Sequence, residues 1–240
     1  MSKPQYFWGN DNPDDMRIMG AAIVFGLLAN SLALFAFSDA IAASGPAVDQ
    51  GLSLDSMRGV LIVTLGWVFC FFSAMGAQIR TKMEMKEDAD ASYLAERAMY
   101  NTIEHALPSL LIIWLAAIYC NATAATVAGA IYVVGRFLYP LLYGFYGHFT
   151  LLVEFATQLG YIALGALLLS LYGQVFFDAP LLADLVHQWY LPFCLIGGWM
   201  LLLLIHFNVV GFAVYFPVYK RGLDWKRDFD AHAEVDVNDA

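Results

Sequence analysis

The sequence predicts an all-α integral membrane protein with six spans, and three observations predict it. Of the 240 residues, 60% are hydrophobic and only 14% charged, a balance foreign to ordinary soluble domains. Near-continuous apolar runs recur at 18–42, 59–79, 98–120, 123–147, 150–172 and 191–216, and about twenty such residues cross a bilayer as a helix. None of these runs shows the apolar–polar alternation over about ten residues that barrel strands require.

The first run follows a polar leader carrying Asp11, Asp14 and Asp15. Those aspartates, and a length of about 25 residues, distinguish it from a cleaved signal core, so a retained first helix is expected. Asn30 and Ser31 within it are expected to make helix–helix contacts. After an outer loop with Gly45-Pro46, the second helix runs from Arg58 to Arg80 and empties into a charged loop over 81–96. Gln78, Arg80 and Lys82 stand at that membrane edge, where long basic side chains reach for water. A short turn, CNATA, joins the third and fourth helices. Its Asn121-Ala122-Thr123 matches a glycosylation acceptor but lies too tight against the membrane to serve as one. Residues 148–149 are too few for anything except an antiparallel connection. In the fifth helix Glu154, Gln158 and Tyr161 share a face, with Glu154 a candidate partner for a buried arginine. The last run carries His206 and Asn208 near its middle.

Two polar stripes interrupt the apolar pattern. At 100° per residue, Arg97, Asn101, Glu104 and Pro108 fall within roughly 60° on the third helix. Lipid offers such groups no partner, so the stripe is expected to face inward, toward protein, water or ligand. Pro108 lacks an N–H and releases the Glu104 carbonyl from the helical ladder. On the fourth helix Tyr132, Arg136, Tyr139, Tyr143 and Tyr146 occupy a sector of roughly 80°. Arg136 lies deep in its span, where an unpaired cation costs several kcal/mol. Arg136, Glu154 and Gln158 are therefore expected to form a buried polar network, and the two facing stripes imply a pocket.

Charge placement gives the orientation. Lys3, Arg17, Arg80, Lys82, Lys86, Arg97, Lys220, Arg221, Lys226 and Arg227 all fall on one side if both termini are inside, and positive residues concentrate on the cytoplasmic side of short loops. Both termini are thus expected on the cytoplasmic or equivalent side. The net charge of −9 comes largely from acidic residues near the termini, which read as solvated tails and argue against nucleic acid. Cys70, Cys120 and Cys194 are isolated in apolar runs, with neither a disulfide framework nor metal spacing. His105 and His206, the only histidines suggestive of haem ligation between helices, lack a supporting pattern.

Taken together, Glu96-Arg97-Ala98 followed by Asn101, Glu104 and Pro108, then Gly135-Arg136 with Tyr139 and Tyr143 on the next helix, resembles the MAPEG superfamily over about 58–172. That group includes microsomal glutathione transferases, glutathione-dependent eicosanoid synthases and a non-catalytic lipid-binding member. The resemblance implies a four-helix membrane bundle that forms a homotrimer, with glutathione between subunits and a lipophilic small molecule arriving from the bilayer. Carried over by position, Arg97, Asn101, Glu104, Tyr139 and Tyr143 would line the glutathione site, with Arg80 contributing from the preceding helix. Guanidinium forks suit the two carboxylates of glutathione, and Glu104 suits its amine.

Two features depart from the family pattern. Catalytic relatives place an arginine, which stabilises the thiolate, where this chain has Thr150, with His148 two residues earlier as another source of positive charge. The helices at 18–42 and 191–216 are additions to the four-helix unit, giving a layout of 1–57, 58–172 and 173–240. Three functions remain open: a glutathione-dependent transferase or peroxidase acting on lipophilic electrophiles, a non-catalytic lipid-binding or scaffold protein, and an accessory subunit of a larger membrane assembly.

Overall fold

The computed structural model describes residues 13–85, 88–179 and 181–202. Long helices follow from long apolar runs: α1 (Pro13–Ala36), α3 (Leu54–Glu84), α4 (Ala89–Tyr119), α5 (Ala122–Tyr146) and α6 (Leu151–Phe177), with short helices α2 (Ser38–Ala42), α7 (Leu181–Leu185) and α8 (Leu191–Met200). Five of them are long and apolar enough to cross a membrane, and α8 is a shorter apolar helix. The chain is accordingly an integral, multi-pass membrane protein in a lipid environment. The sixth run, 191–216, is described only to Leu202, so His206, Asn208 and the acidic tail lie outside the described residues. The helical bundle is one compact unit that ends at Trp199, and a second unit begins at Met200.

Two segments differ from expectation. The first run breaks at Phe37, whose backbone leaves the helix before α2. The expected loop over 81–96 is mostly helix, because α3 and α4 are each 31 residues long. At 1.5 Å per residue each spans about 46 Å against a hydrocarbon core of about 30 Å. They overhang the bilayer, and Lys82 ties the overhang with an ion pair to Glu96 at 2.6 Å.

The long helix α6 is the centre of the bundle, with two thirds of its apolar window buried. Small residues on it let neighbouring backbones approach, the usual way to pack helices in lipid. A Cβ on Gly135 of α5 would lie 2.6 Å from the Ala156 carbonyl oxygen, and one on Gly165 2.7 Å from Gly198 of α8. From α1, Asn30 donates from its side chain to the carbonyls of Gly26 (2.9 Å) and Leu159 (3.1 Å), making the helix contact expected of it. Both added helices therefore pack on α6, leaving faces of α3 and α4 uncovered.

At the opposite end from the α3–α4 overhang, Asn121 caps α5 by accepting from Ala124 N–H at 2.8 Å. Its amide group donates to the carbonyls of Ile41 (2.9 Å) and Ser44 (3.0 Å). The loop after α2 lies against the end of α4, with Ala47 N–H on Ala117 carbonyl at 3.0 Å.

Candidate functional site

Helix periodicity places Arg97, Asn101 and Glu104 on one face of α4, but that face is turned partly out of the chain. Arg97 and Glu104 are exposed and Asn101 is half-buried. Of the stripe expected to face protein, water or ligand, Asn101 reaches furthest into its own chain, while Arg97 and Glu104 stay exposed on it. A face pattern fixes the angles between residues on one helix, while packing against neighbours sets how the helix is turned. Among the described residues, neither Arg97 nor Glu104 makes a hydrogen bond or ion pair. Large apolar residues on the same helix, Tyr100, Ile103 and Leu107, are exposed beside them.

Across from Asn101, α5 supplies Arg136, which is 2% exposed. Its Nη1 donates to Asn101 Oδ1 at 2.5 Å. Two rings complete the seat: the guanidinium carbon lies 5.4 Å from the Tyr132 centroid and 5.5 Å from that of Tyr161 on α6. Such contacts stabilise a desolvated cation by up to about 2 kcal/mol each. Beside them, His105 Nε2 and the Tyr161 hydroxyl are 3.1 Å apart, and the Tyr132 hydroxyl donates to the His105 carbonyl at 3.4 Å. The structure thus brings Asn101, Tyr132, Arg136 and Tyr161 together and links His105 to them; His105 is a hydrogen-bonding member of this cluster.

One turn further along α5, Tyr139 and Tyr143 stack with ring centroids 5.6 Å apart and planes within 7°. Both are buried against Val153 and Ala156 of α6, with Leu94 of α4 and Phe149 packed beside them. The Tyr139 hydroxyl has no hydrogen-bond partner, and neither does Nη2 of Arg136.

Glu154 and Gln158 are buried, yet they form a separate group. Gln158 Nε2 donates to Glu154 Oε2 at 3.4 Å, and Trp199 of α8 donates to Gln158 Oε1 at 2.8 Å. Among the described residues Glu154 makes no ion pair with an arginine, correcting the expected partnership. Two neighbours on α6 diverge here: Gln158 reaches α8, while Tyr161 turns to α5. Arg80 stands apart from the cluster as well, exposed and paired with Glu84 at 2.8 Å.

Thr150 has a structural role at the start of α6. Its hydroxyl accepts from Val153 N–H at 3.4 Å and caps α6, an arrangement readable as Thr-x-x before an apolar run. His148 is exposed, with Nδ1 2.7 Å from the Tyr146 carbonyl. Trp199, meanwhile, had no polar pattern around it that could have flagged its bond to Gln158.

No curated protein and no solved structure matches the chain. The model of the MAPEG family matches residues 57–173, which begin just inside α3 and end near the close of α6. The matched segment contains both polar stripes and the Arg136–Asn101 contact, and leaves out α1 and α8. Through residues 57–173, an all-helical bundle of four long apolar helices, this chain belongs to the MAPEG superfamily.

Proposed function

We propose that the protein binds glutathione at the α4 face and presents it to lipophilic electrophiles from the bilayer, as a transferase or peroxidase. The observation that carries this reading is the pair Arg97 and Glu104, opposite charges about two turns apart on a membrane helix and without partners among the described residues. Arg97 follows the overhang residue Glu96, so the two charges start at the membrane edge and can be reached by a water-soluble ligand. A zwitterionic tripeptide answers both, a carboxylate on the guanidinium and an amine on the glutamate. Because that face is turned out of its own chain, a neighbouring copy would close the site, in keeping with the trimer implied by the family. Asn101, held by Arg136, supplies a polar group at the inner edge, and the stacked tyrosines back the same region. Arg80, paired elsewhere, joins only if its side chain leaves Glu84.

A second reading, a non-catalytic binding protein, is favoured by Thr150. The residue at the position of the family's thiolate-stabilising arginine is a helix cap, and a thiol with a pKa near 8.5 is only a few per cent ionised at neutral pH without a nearby cation. Equilibrium binding of glutathione to the purified protein, followed by thiolate absorbance, tests both readings. Wild-type binding that is accompanied by thiolate formation and is lost in Arg97→Ala supports the enzyme. Binding without thiolate supports the second reading, and no binding at all refutes both.

A further inference from the structure

We infer that the interior between α4, α5 and α6 holds a small anionic group beside Arg136. A guanidinium keeps its proton in a protein, and a buried charge requires a partner. Arg136 is buried and makes no ion pair among the described residues. Its Nη1 donates to a neutral amide oxygen, and Nη2 has no partner. Tyr132 and Tyr161 lie near the guanidinium carbon; they ease its desolvation but carry no charge to neutralise it. Glu154, the buried carboxylate of α6, takes a hydrogen bond from Gln158 and makes no ion pair with Arg136.

Another buried donor without a partner, on the same face of α5, is the Tyr139 hydroxyl, on a side chain 2% exposed. Residues three apart share a helix face, and both side chains enter the same interior. Arg136 touches Asn101 of α4 and Tyr161 of α6, while Tyr139 packs on Val153 and Ala156 of α6 near Leu94 of α4. Two buried donors, one of them cationic, each lacking an acceptor, suit a single negative charge that accepts two hydrogen bonds. A free halide carries that chemistry, and so does the carboxylate of a bound molecule. The site is built from Arg136 and Tyr139 and does not depend on any role for Arg97.

The test is thermal unfolding of the intact protein in detergent at constant ionic strength, with gluconate replaced stepwise by chloride or bromide, and separately with glutathione added in gluconate. A saturable rise in Tm of about 3–5 °C with halide is expected if the anion is free. The midpoint should then move about tenfold higher in Tyr139→Phe, which keeps the ring and loses one donor. Inert halides, with a glutathione-induced rise that Tyr139→Phe weakens in the same way, would assign the negative group to a ligand carboxylate. Bromide anomalous scattering at Arg136 would fix the position directly. No response to either, responses unchanged in Tyr139→Phe, or a bromide peak elsewhere would overturn the inference. Loss of glutathione response in Arg97→Ala alone, with the halide response intact, would bear on the α4 face and leave this site standing.

Discussion

Arg97 and Arg136 are both arginines on membrane helices, and the chain treats them in opposite ways. Arg136 is enclosed by an amide and two aromatic rings from three helices, whereas Arg97 stands exposed with no partner among the described residues. The interior cation is seated by its own chain, with one donor left over for an anion. The exposed one, together with Glu104, is a charge pattern whose complement must come from outside the subunit. Stability and ligand affinity should therefore separate between the two positions, and substitutions around each can test whether they do.

The heaviest cost falls where no side chain can yield. Gly135→Val would drive a Cβ into the Ala156 carbonyl oxygen, disturbing the helix contact that positions Arg136, and overpacking of this kind costs about 1–3 kcal/mol or more. Size-exclusion chromatography should show aggregated or lost protein; a monodisperse peak with unchanged Tm would contradict the close approach of α5 and α6.

Substituting the two arginines themselves sets fold against ligand. Arg136→Ala leaves Asn101 Oδ1 without its donor and opens space between two rings, and a buried acceptor left unsatisfied costs about 1–3 kcal/mol. Arg97→Ala should leave Tm unchanged while glutathione binding disappears. Equal destabilisation by both substitutions would erase the distinction between fold and ligand face.

Smaller effects concern α6 and its neighbours. Thr150→Arg removes a helix cap worth about 1 kcal/mol and installs a cation near the expected thiol. It should lower Tm slightly and raise the thiolate fraction of bound glutathione, since a cation within about 4–6 Å depresses a thiol pKa by one or more units. A fall in Tm with no change in thiolate absorbance would place the thiol elsewhere. Trp199→Phe keeps an aromatic ring, breaks the bond to Gln158 and should cost about 0.5–1.5 kcal/mol, read as a small fall in Tm with glutathione affinity intact.

Much of the fold was legible because hydrophobic run length is a direct physical signal. Hydropathy lost the helices at 81–96, since a polar helix leaving the membrane and a polar loop look alike in composition. The stripes on α4 and α5 were legible as angles. Their neighbours were not: the partner of Glu154 depends on how α6 is turned and how deep it sits, and Gln158, one turn away, took the place expected of an arginine. Thr150 illustrates the same limit, because absence of a family arginine is visible in sequence while the cap that threonine makes instead depends on where α6 begins.

Asn121 bears on biosynthesis. Its carboxamide nitrogen is the atom that a glycosylating enzyme would modify, and the folded chain engages that nitrogen with two carbonyls, those of Ile41 and Ser44. Both acceptors are synthesised long before Asn121 emerges, so a correctly inserted N-terminal helix is in place to mask the acceptor as the α4–α5 turn forms. A chain in which that helix fails to insert would leave the Asn121 carboxamide without those two acceptors, and the α4–α5 turn would form without its tether to the N-terminal segment.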